Sequence, residues 1–251
     1  MNKPLAAAVV GFAALMTTAS IRAAEIKVLA SNGVRAALEE LAPAFDRETG
    51  HKLVIGFGLA AAVKRQIEAG EAFDLAIITR AGIDDLAKQG KVDAGSRAAI
   101  ARSGVGIGIR KGAPRPDIGT ADALKRTLLA AKSITWAKEG QSGMYFASML
   151  ERIGIAGEIR PKYQLAGASA EAGKLVAAGK AEFAVGLVNE LMAAPGVEVS
   201  GSLPAELQNY TAFHAGVGVG SKDSSAAKAL IKFLTTPAAG AVFKAKGQEP
   251  G

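Results

Sequence analysis

The sequence predicts an α/β fold in which two lobes, each with a parallel or mixed sheet covered by helices, face each other across a cleft. Short apolar runs of strand length alternate with amphipathic segments of helical period from Glu25 onward. This alternation stops at a turn cluster, residues 112–116, and then begins again. Aromatic residues make up only 5% of the 251 residues, so small and aliphatic side chains must fill the core.

The first series contains three strand and helix pairs. Leu38, Leu41 and Phe45 recur at helical spacing, and Gly50 follows as a C-terminal signal. The predicted strands are 26–30, 53–57 and 75–79, and the predicted helices are 34–49, 60–69 and 82–89. Strands that alternate with helices in this way form a parallel sheet covered on both faces.

The second series follows an extended stretch, 105–110, in which glycine alternates with β-branched residues. It predicts helices at 120–131, 143–153 and 169–178 and strands at 133–137, 162–165 and 183–188. A second extended stretch at 210–219 and a helix at 225–235, with a short helix after Pro237, complete the chain. The two extended stretches are expected to connect the lobes, so that 25–103 and 212–251 form lobe 1 and 104–211 forms lobe 2.

Residues 1–24 have the pattern of a secretory signal peptide. Lys3 supplies the positive charge, residues 5–16 are apolar, and Ala23 and Ala24 are small residues of a cleavage zone. The apolar run is too short to span a bilayer. The sequence therefore predicts an exported, periplasmic protein without stable membrane insertion, the alternative being a retained N-terminal anchor.

The composition argues against several kinds of catalytic and binding site. The chain has no cysteine and two histidines, which argues against disulfides, thiol nucleophiles and zinc sites, and we expect no metal and no cofactor. The formal net charge is +7, but the basic residues are scattered and form no stripe, so nucleic acid is not expected as a partner. A basic surface attracts small anions. We expect a monomer.

Three turns between a strand and a helix are built from small residues. Backbone N–H groups in the first turn of a helix have no intrahelical partner and lie at the positive end of the helix dipole, so such turns can bind anions. The alternative is that Ser and Asn cap helices and Gly turns corners. The candidate ligand-binding residues in these turns are Ser31, Asn32, Gly33, Ala60, Ala61, Ser142 and Gly143.

Four stretches of the sequence resemble the periplasmic molybdate-binding proteins of ABC importers, which have the type II periplasmic binding protein fold. They are IKVLASNGVRAALEELAPAFDRETGHKLVIGFG, AVKRQIEAGEAFDLAI, GQSGMYFASMLERIGI and ALIKFLTTPAAGAVFKAKG. The resemblance covers nearly the whole chain after the signal segment. It implies a receptor that captures a small anion in the cleft and delivers it to an ABC permease.

The residues of the pocket depart from that family. Gly33, Ala60 and Leu187 stand where the molybdate-binding proteins have hydrogen-bonding side chains, so tight molybdate binding is not expected. Arg80 is a new cation that could hold a carboxylate bidentately, unless it only pairs with Asp84 one helical turn away. Further polar candidates at strand ends or helix starts are Thr79, Ser169 and Asn189. These changes favour an organic carboxylate.

A second resemblance is to bacterial aconitate isomerases, which are exported enzymes similar to the molybdate-binding proteins. It implies an alternative function, the interconversion of trans- and cis-aconitate by an allylic proton shift. The sequence does not mark the proton-transfer group, so the catalytic residue stays unassigned among Lys64, Glu139, Glu190, His51 and His214. Because the turns contain no pair of proton-transfer groups, we prefer the receptor.

Overall fold

The computed structural model describes residues 23–251. The predicted signal segment therefore lies, apart from Ala23 and Ala24, outside the described residues. The predicted fold class is confirmed, because a mixed β-sheet is covered by helices in the arrangement of type II periplasmic binding proteins. No helix in the range 23–251 is long and apolar enough to cross a membrane.

The first part of the chain forms a parallel sheet of β2, β1 and β3, in that spatial order. Each of its three strands is followed in the chain by a helix, as the apolar spacing predicts. In chain order the elements are β1 (Glu25–Ser31), α1 (Arg35–Thr49), β2 (Lys52–Gly58), α2 (Ala60–Glu68), β3 (Leu75–Thr79) and α3 (Arg80–Lys88). A 3-10 turn, Asn32–Val34, connects β1 to α1.

A long strand, β4 (Ala98–Arg110), leads into the second part of the chain. There, β7, β5 and β6 continue the sheet, β5 being parallel to both of its neighbours. The elements are α4 (Ala121–Ala130), β5 (Ile134–Ala137), α5 (Gln141–Arg152), α6 (Ala156–Ile159), β6 (Tyr163–Ala166), α7 (Ser169–Ala177), β7 (Phe183–Leu187), α8 (Val188–Met192) and β8 (Val197–Ser202).

The chain returns to the first sheet through β9 (Tyr210–Val217), which lies antiparallel between β3 and β4. Helices α9 (Ser224–Leu234) and α10 (Pro237–Ala245) pack near α1, and β10 (Glu249–Pro250) pairs with β4. The sheet is therefore mixed, as expected for a chain that crosses between two units twice.

β4 changes partners in its middle. Up to Gly104 it pairs with β9, whereas from Val105 onward it pairs with β7 on one side and β8 on the other. The Gln208 side chain holds this crossing, because its Oε1 accepts from Val105 N at 2.8 Å and its Nε2 donates to Val105 O at 3.0 Å. We keep the division into lobes at residues 103/104 and 211/212 as a proposal, which the change of partners supports.

The core consists mainly of aliphatic side chains, as the low aromatic content predicts. Among the largest fully buried side chains are Phe45, Phe146, Phe213 and Phe243. Burial of apolar surface stabilises the fold by about 25 cal/mol per Å². These few rings pack against the aliphatic residues of both sheets.

The structure differs from the predicted elements in several places, and α6 and β10 are among the elements that were not predicted. β4 begins at Ala98, not at residue 105, and both β8 and the short α8 were not predicted. β8 has intermediate burial along most of its length, so it lacks the alternation that marks a strand. α8 has five residues, too few to show a helical period.

Candidate functional site

A cavity lies where the carboxyl ends of β1, β2 and β5 approach each other. It encloses about 380 Å³ of empty space, including open solvent at its mouth. Residues from both sides of the β4 crossing line it. They are Ser31, Asn32, Leu59, Ala60, Glu139, Gly140, Gln141, Ser142, Ser169, Leu187, Glu190, Thr211 and Phe213.

Helices α2 and α5 both begin at this cavity without a side-chain cap. Leu59 precedes α2 and Gly140 precedes α5, and both have extended backbone conformations with no side-chain hydrogen bond to the helix. The first α2 amide that is bonded within the chain is that of Val63, to Leu59 O, and in α5 it is that of Met144, to Gly140 O. The earlier N–H groups of each helix therefore remain available, with the positive ends of two helix dipoles beside them.

Hydroxyl and amide side chains lie between these helix ends. Ser142 and Thr211 are buried, with 2% and 6% of their surface exposed, and both line the cavity. Ser31 Oγ accepts a hydrogen bond from Gly33 N at 3.2 Å and thereby holds the turn after β1. The arrangement offers donors to an anion from both sides of the crossing.

The structure thus brings together Ser31, Asn32, Ala60, Ser142 and Ser169 of the predicted ligand-binding residues. Ala61, the next residue of α2, is not among the residues that line the cavity. Its backbone N–H still belongs to the open first turn.

Gly33 and Gly143 are not among the residues that line the cavity, and both are closely packed. A Cβ atom on Gly33 would lie 2.2 Å from the Phe213 ring, and one on Gly143 would lie 2.0 Å from the Ala137 carbonyl oxygen. Both positions therefore require glycine, and each lets a turn pack against the floor of the cavity.

Asn189 also lies elsewhere than predicted. It is buried, and its Nδ2 donates a 2.7 Å hydrogen bond to Gly33 O. This bond joins the start of α8 to the turn after β1. Asn189 lines a neighbouring cavity but not the first one.

Arg80 and Thr79 require a correction. The prediction placed Arg80 in the pocket as a carboxylate clamp, but its side chain is 71% exposed, pairs with Asp84 at 3.7 Å and is absent from the cavity lining. Thr79 caps α3, since its Oγ1 accepts from Gly82 N at 3.3 Å. The predicted helix began at residue 82, whereas α3 begins at Arg80, which turns the guanidinium along the helix surface toward Asp84.

Three of the five candidates for the proton-transfer group lie outside the cavity. Lys64 bonds to Glu68 at 3.0 Å, which raises the pKa of the ammonium above its usual value, so burial does not make it a base. His51 is buried, not on the surface, and its Nδ1 accepts from Ala24 N at 3.0 Å. Burial and the nearby Arg80 charge lower the pKa of His214, which lies in β9.

The remaining two candidates, Glu139 and Glu190, line the cavity. Glu139 is exposed. The Oε2 atom of Glu190 accepts a 2.6 Å hydrogen bond from Ser169 Oγ. Burial raises the pKa of the Glu190 carboxyl, and the bond from Ser169 opposes that effect.

Glu190 also faces a second, larger cavity of about 1030 Å³, again including open solvent. The two cavities share Asn32, Ser169 and Glu190 in their walls. Charged residues from α1 and α7 line the second cavity, namely Arg35, Glu39 and Lys174. The space available to a ligand therefore extends beyond the first cavity.

Sequence reasoning missed the apolar part of the lining. Phe213 carries no chemical signal, and its place in β9 brings it to the cavity wall. For Leu59 a signal exists in retrospect, because an aliphatic residue stands where a helix start usually has Ser, Thr or Asp. Within the part of the chain that the structure describes, no cluster of His, Asp or Glu could hold a metal ion.

The fold and this cleft define a solute-binding protein. The family model for bacterial extracellular solute-binding proteins matches residues 26–249, and the chain therefore belongs to that family. The resemblance seen in the sequence is confirmed.

The relatives include both a binding protein and an enzyme. The chain is similar to an aconitate isomerase from a Pseudomonas species, with 29% identity over 231 residues, or 90% of this chain and 87% of that protein. It is also similar to the molybdate-binding protein ModA of Azotobacter vinelandii, with 27% identity over 251 residues and 98% of both chains covered.

A solved structure supports the fold. The periplasmic molybdate-binding protein of Azotobacter vinelandii superimposes with a TM-score of 0.75 at 20% identity, covering 89% of this chain and 98% of that chain. At this identity the likeness establishes the shared architecture.

Proposed function

We propose that the protein captures a small anion, an oxyanion or an organic carboxylate, in the cavity between α2 and α5. In this proposal it acts in the periplasm after its signal peptide is removed, and it delivers the anion to the permease of an ABC importer. The observation that carries the proposal is that α2 and α5 both begin at one cavity with their first-turn amides uncapped. Such amides bind negative charge without any change of protonation.

The family and the molybdate-binding relative support an anion as the ligand. The lining favours a carboxylate, because Ala60 and Leu187 supply no hydrogen bond where the molybdate-binding family supplies one. Each hydrogen bond to a charged group contributes about 1.5 to 3 kcal/mol, so molybdate should bind less tightly here than in that family.

The test is a thermal shift and calorimetry series on the purified protein with molybdate, tungstate, sulfate, citrate and trans-aconitate. Sodium chloride at equal ionic strength is the control. An anion at about 100 times its Kd should add about 2.7 kcal/mol to the free energy of unfolding, which is visible as a higher Tm. If no anion raises Tm above the chloride control, the proposal is wrong.

A second candidate function is isomerisation of aconitate, and the specific observation that favours it is the Glu190 carboxyl in the cavity wall. The carboxylate would take a proton from the allylic CH₂ of trans-aconitate, the double bond would shift, and the same proton would return at the other end of the allylic system. No cofactor is needed for this step. The aconitate isomerase relative supports it.

Ultraviolet absorbance separates the two functions. Turnover of trans-aconitate by the wild-type protein that Glu190→Gln abolishes and Glu139→Gln preserves would establish the isomerase with Glu190 as its catalytic residue. Binding of trans-aconitate without turnover would establish the receptor instead.

A further inference from the structure

Glu190 presents an electrostatic problem for any anion in this cavity. Its Oε2 is bonded to Ser169 Oγ, and it forms no ion pair with a Lys, Arg or His anywhere in residues 23–251. Two negative charges about 4 Å apart at a partly buried site weaken binding on the order of a thousandfold. An ionised Glu190 would therefore oppose the amides of α2 and α5.

A proton between the carboxyl and the ligand removes this repulsion. Glu190 is well placed to hold one, because it forms part of the wall of both cavities and its second oxygen, Oε1, has no hydrogen-bond partner among the described residues. A protonated carboxyl would donate a hydrogen bond to the anion, while Ser169 still donates to the other oxygen.

None of the other charged groups around the two cavities is as well placed as Glu190 to take up a proton when an anion binds. Glu139 lies at the first cavity, but its side chain is exposed. At the second cavity, Arg35 pairs with Glu39 at 3.4 Å, and Lys174 is exposed on α7. Arg35 and Lys174 are cations at neutral pH and have no affinity for a further proton.

We propose that capture of an anion in the cavity places one proton on Glu190, so that ligand binding and proton uptake are coupled. This inference rests on the proposed anion-binding function. It makes Glu190 the residue that determines specificity, because a ligand that shares a proton with a carboxyl is preferred to one that offers no acceptor oxygen at that position. The raised pKa of the half-buried Glu190 carboxyl, which its desolvation causes, agrees with this role.

The experiment is calorimetric titration of the wild-type protein with trans-aconitate and with molybdate from pH 5.5 to 9, in two buffers of different ionisation enthalpy. The proposal predicts uptake of about one proton per ligand above the pKa of Glu190, with affinity falling about tenfold per pH unit there. Glu190→Gln should retain the bond to Ser169 and should bind with an affinity that does not depend on pH. Glu139→Gln is the matched control and should retain the coupling.

The outcomes separate this inference from the proposed function. Wild-type affinity that is constant across the pH range would overturn the inference and leave anion binding intact. Proton uptake that persists in Glu190→Gln would also overturn it, provided that an unchanged Tm shows the variant to be folded. If neither probe binds at any pH, the proposed function itself is wrong for these anions.

Discussion

Three helices that begin at the cavity differ from four helices that begin elsewhere in the same molecule. α3, α4, α9 and α10 each start with a Thr or Asp side chain that accepts a hydrogen bond from a first-turn amide. α2, α5 and α7 start at Leu59, Gly140 and Ala168, which form no such bond. A missing cap costs about 1 kcal/mol of stability.

A helix without a cap is less stable, but its first-turn N–H groups remain free to bind a ligand. A capping side chain and a bound anion compete for the same N–H groups. α3, α4, α9 and α10 have filled these groups within the chain, whereas α1 and α6 also lack a side-chain cap although neither lines the first cavity. The helices at the cavity leave them to the ligand, so a missing cap points to a binding site only where the helix also begins at a cavity.

Asp74 shows within this protein what such donors do for a negative charge. Its buried carboxylate accepts from Lys27 N at 2.9 Å, Lys222 N at 2.9 Å and Ser221 Oγ at 2.8 Å. Burial alone would raise the pKa of Asp74, but these hydrogen bonds outweigh it and the pKa is lowered. Amides and one hydroxyl are thus enough to hold a buried anion.

The largest effect is expected from giving α2 a charged cap. In Leu59→Asp, the new carboxylate should accept from the first-turn amides and repel the ligand, lowering anion affinity by at least about 100-fold while raising Tm. Leu59→Asn is the matched control, since it caps without a charge and should lose less affinity. Calorimetry measures both, and undiminished binding by Leu59→Asp would show that the amides of α2 do not contact the ligand.

The second-largest effect is expected from removing the buried carboxylate of Asp74. Asp74→Asn should lower the free energy of unfolding by about 1.5 to 3 kcal/mol at pH 7, because a carboxylate that accepts several hydrogen bonds is lost. The pKa of Asp74 is lower in the folded state than in the unfolded state. Its contribution is therefore complete above pH about 4 and disappears as the pH falls through the folded value.

Denaturant unfolding of the wild type and Asp74→Asn at several pH values measures this difference. The two proteins should converge in acid. A gap that is equally large at pH 3 and at pH 7 would mean that Asp74 acts through packing and not through its charge.

Ser142→Ala removes one hydroxyl from the cavity but leaves the backbone donors of α5. Anion affinity should fall by about tenfold, less than in Leu59→Asp, and Tm without ligand should stay within a degree or two. Competition calorimetry with the best anion of the series measures the change. A loss as large as that in Leu59→Asp would mean that hydroxyl groups, and not amides, dominate binding.

Removal of a cap from a helix that lies away from the cavity is the opposite experiment. Thr120 caps α4, because its Oγ1 accepts a hydrogen bond from Ala123 N at 3.2 Å. Thr120→Ala removes this cap and should lower the free energy of unfolding by about 1 kcal/mol. Anion affinity should not change, because α4 does not line the cavity. An effect on affinity without one on stability would remove the distinction between the two sets of helices.

The smallest effect is expected at Arg80. Arg80→Ala should leave anion affinity within about twofold of wild type, because the side chain is exposed and pairs with Asp84. Calorimetry with trans-aconitate measures it. A loss of tenfold or more would restore Arg80 as the carboxylate clamp that the sequence predicted.

Much of the fold could be predicted because local periodicity dictates it. β3 has the predicted bounds, 75–79, and α1 ends at Thr49 before Gly50, whose φ of 72° is the left-handed conformation that glycine favours at a helix end. β8 and α8 were missed because the first lacks alternation and the second is shorter than two helical turns.

The site was less predictable, for a physical reason. The turns with Asn32 and Ala60 follow the neighbouring parallel strands β1 and β2, the turn with Ser142 follows β5 on the other side of the β4 crossing, and all three line one cavity as expected. Whether a side chain points into that space depends on where its helix begins, and a shift of two residues in α3 excluded Arg80. The Ser169 to Glu190 bond joins two helices 21 residues apart, which no local pattern encodes.

Amide chemical shifts of the ¹⁵N-labelled protein, followed while trans-aconitate or molybdate is titrated in, test the central claim most directly. The largest changes should occur at residues 60–62 and 141–143, the uncapped first turns of α2 and α5, and the first turns of α4, α9 and α10 should remain unchanged. Saturable binding whose shifts cluster around Arg80, or at the capped helix ends, would contradict the account.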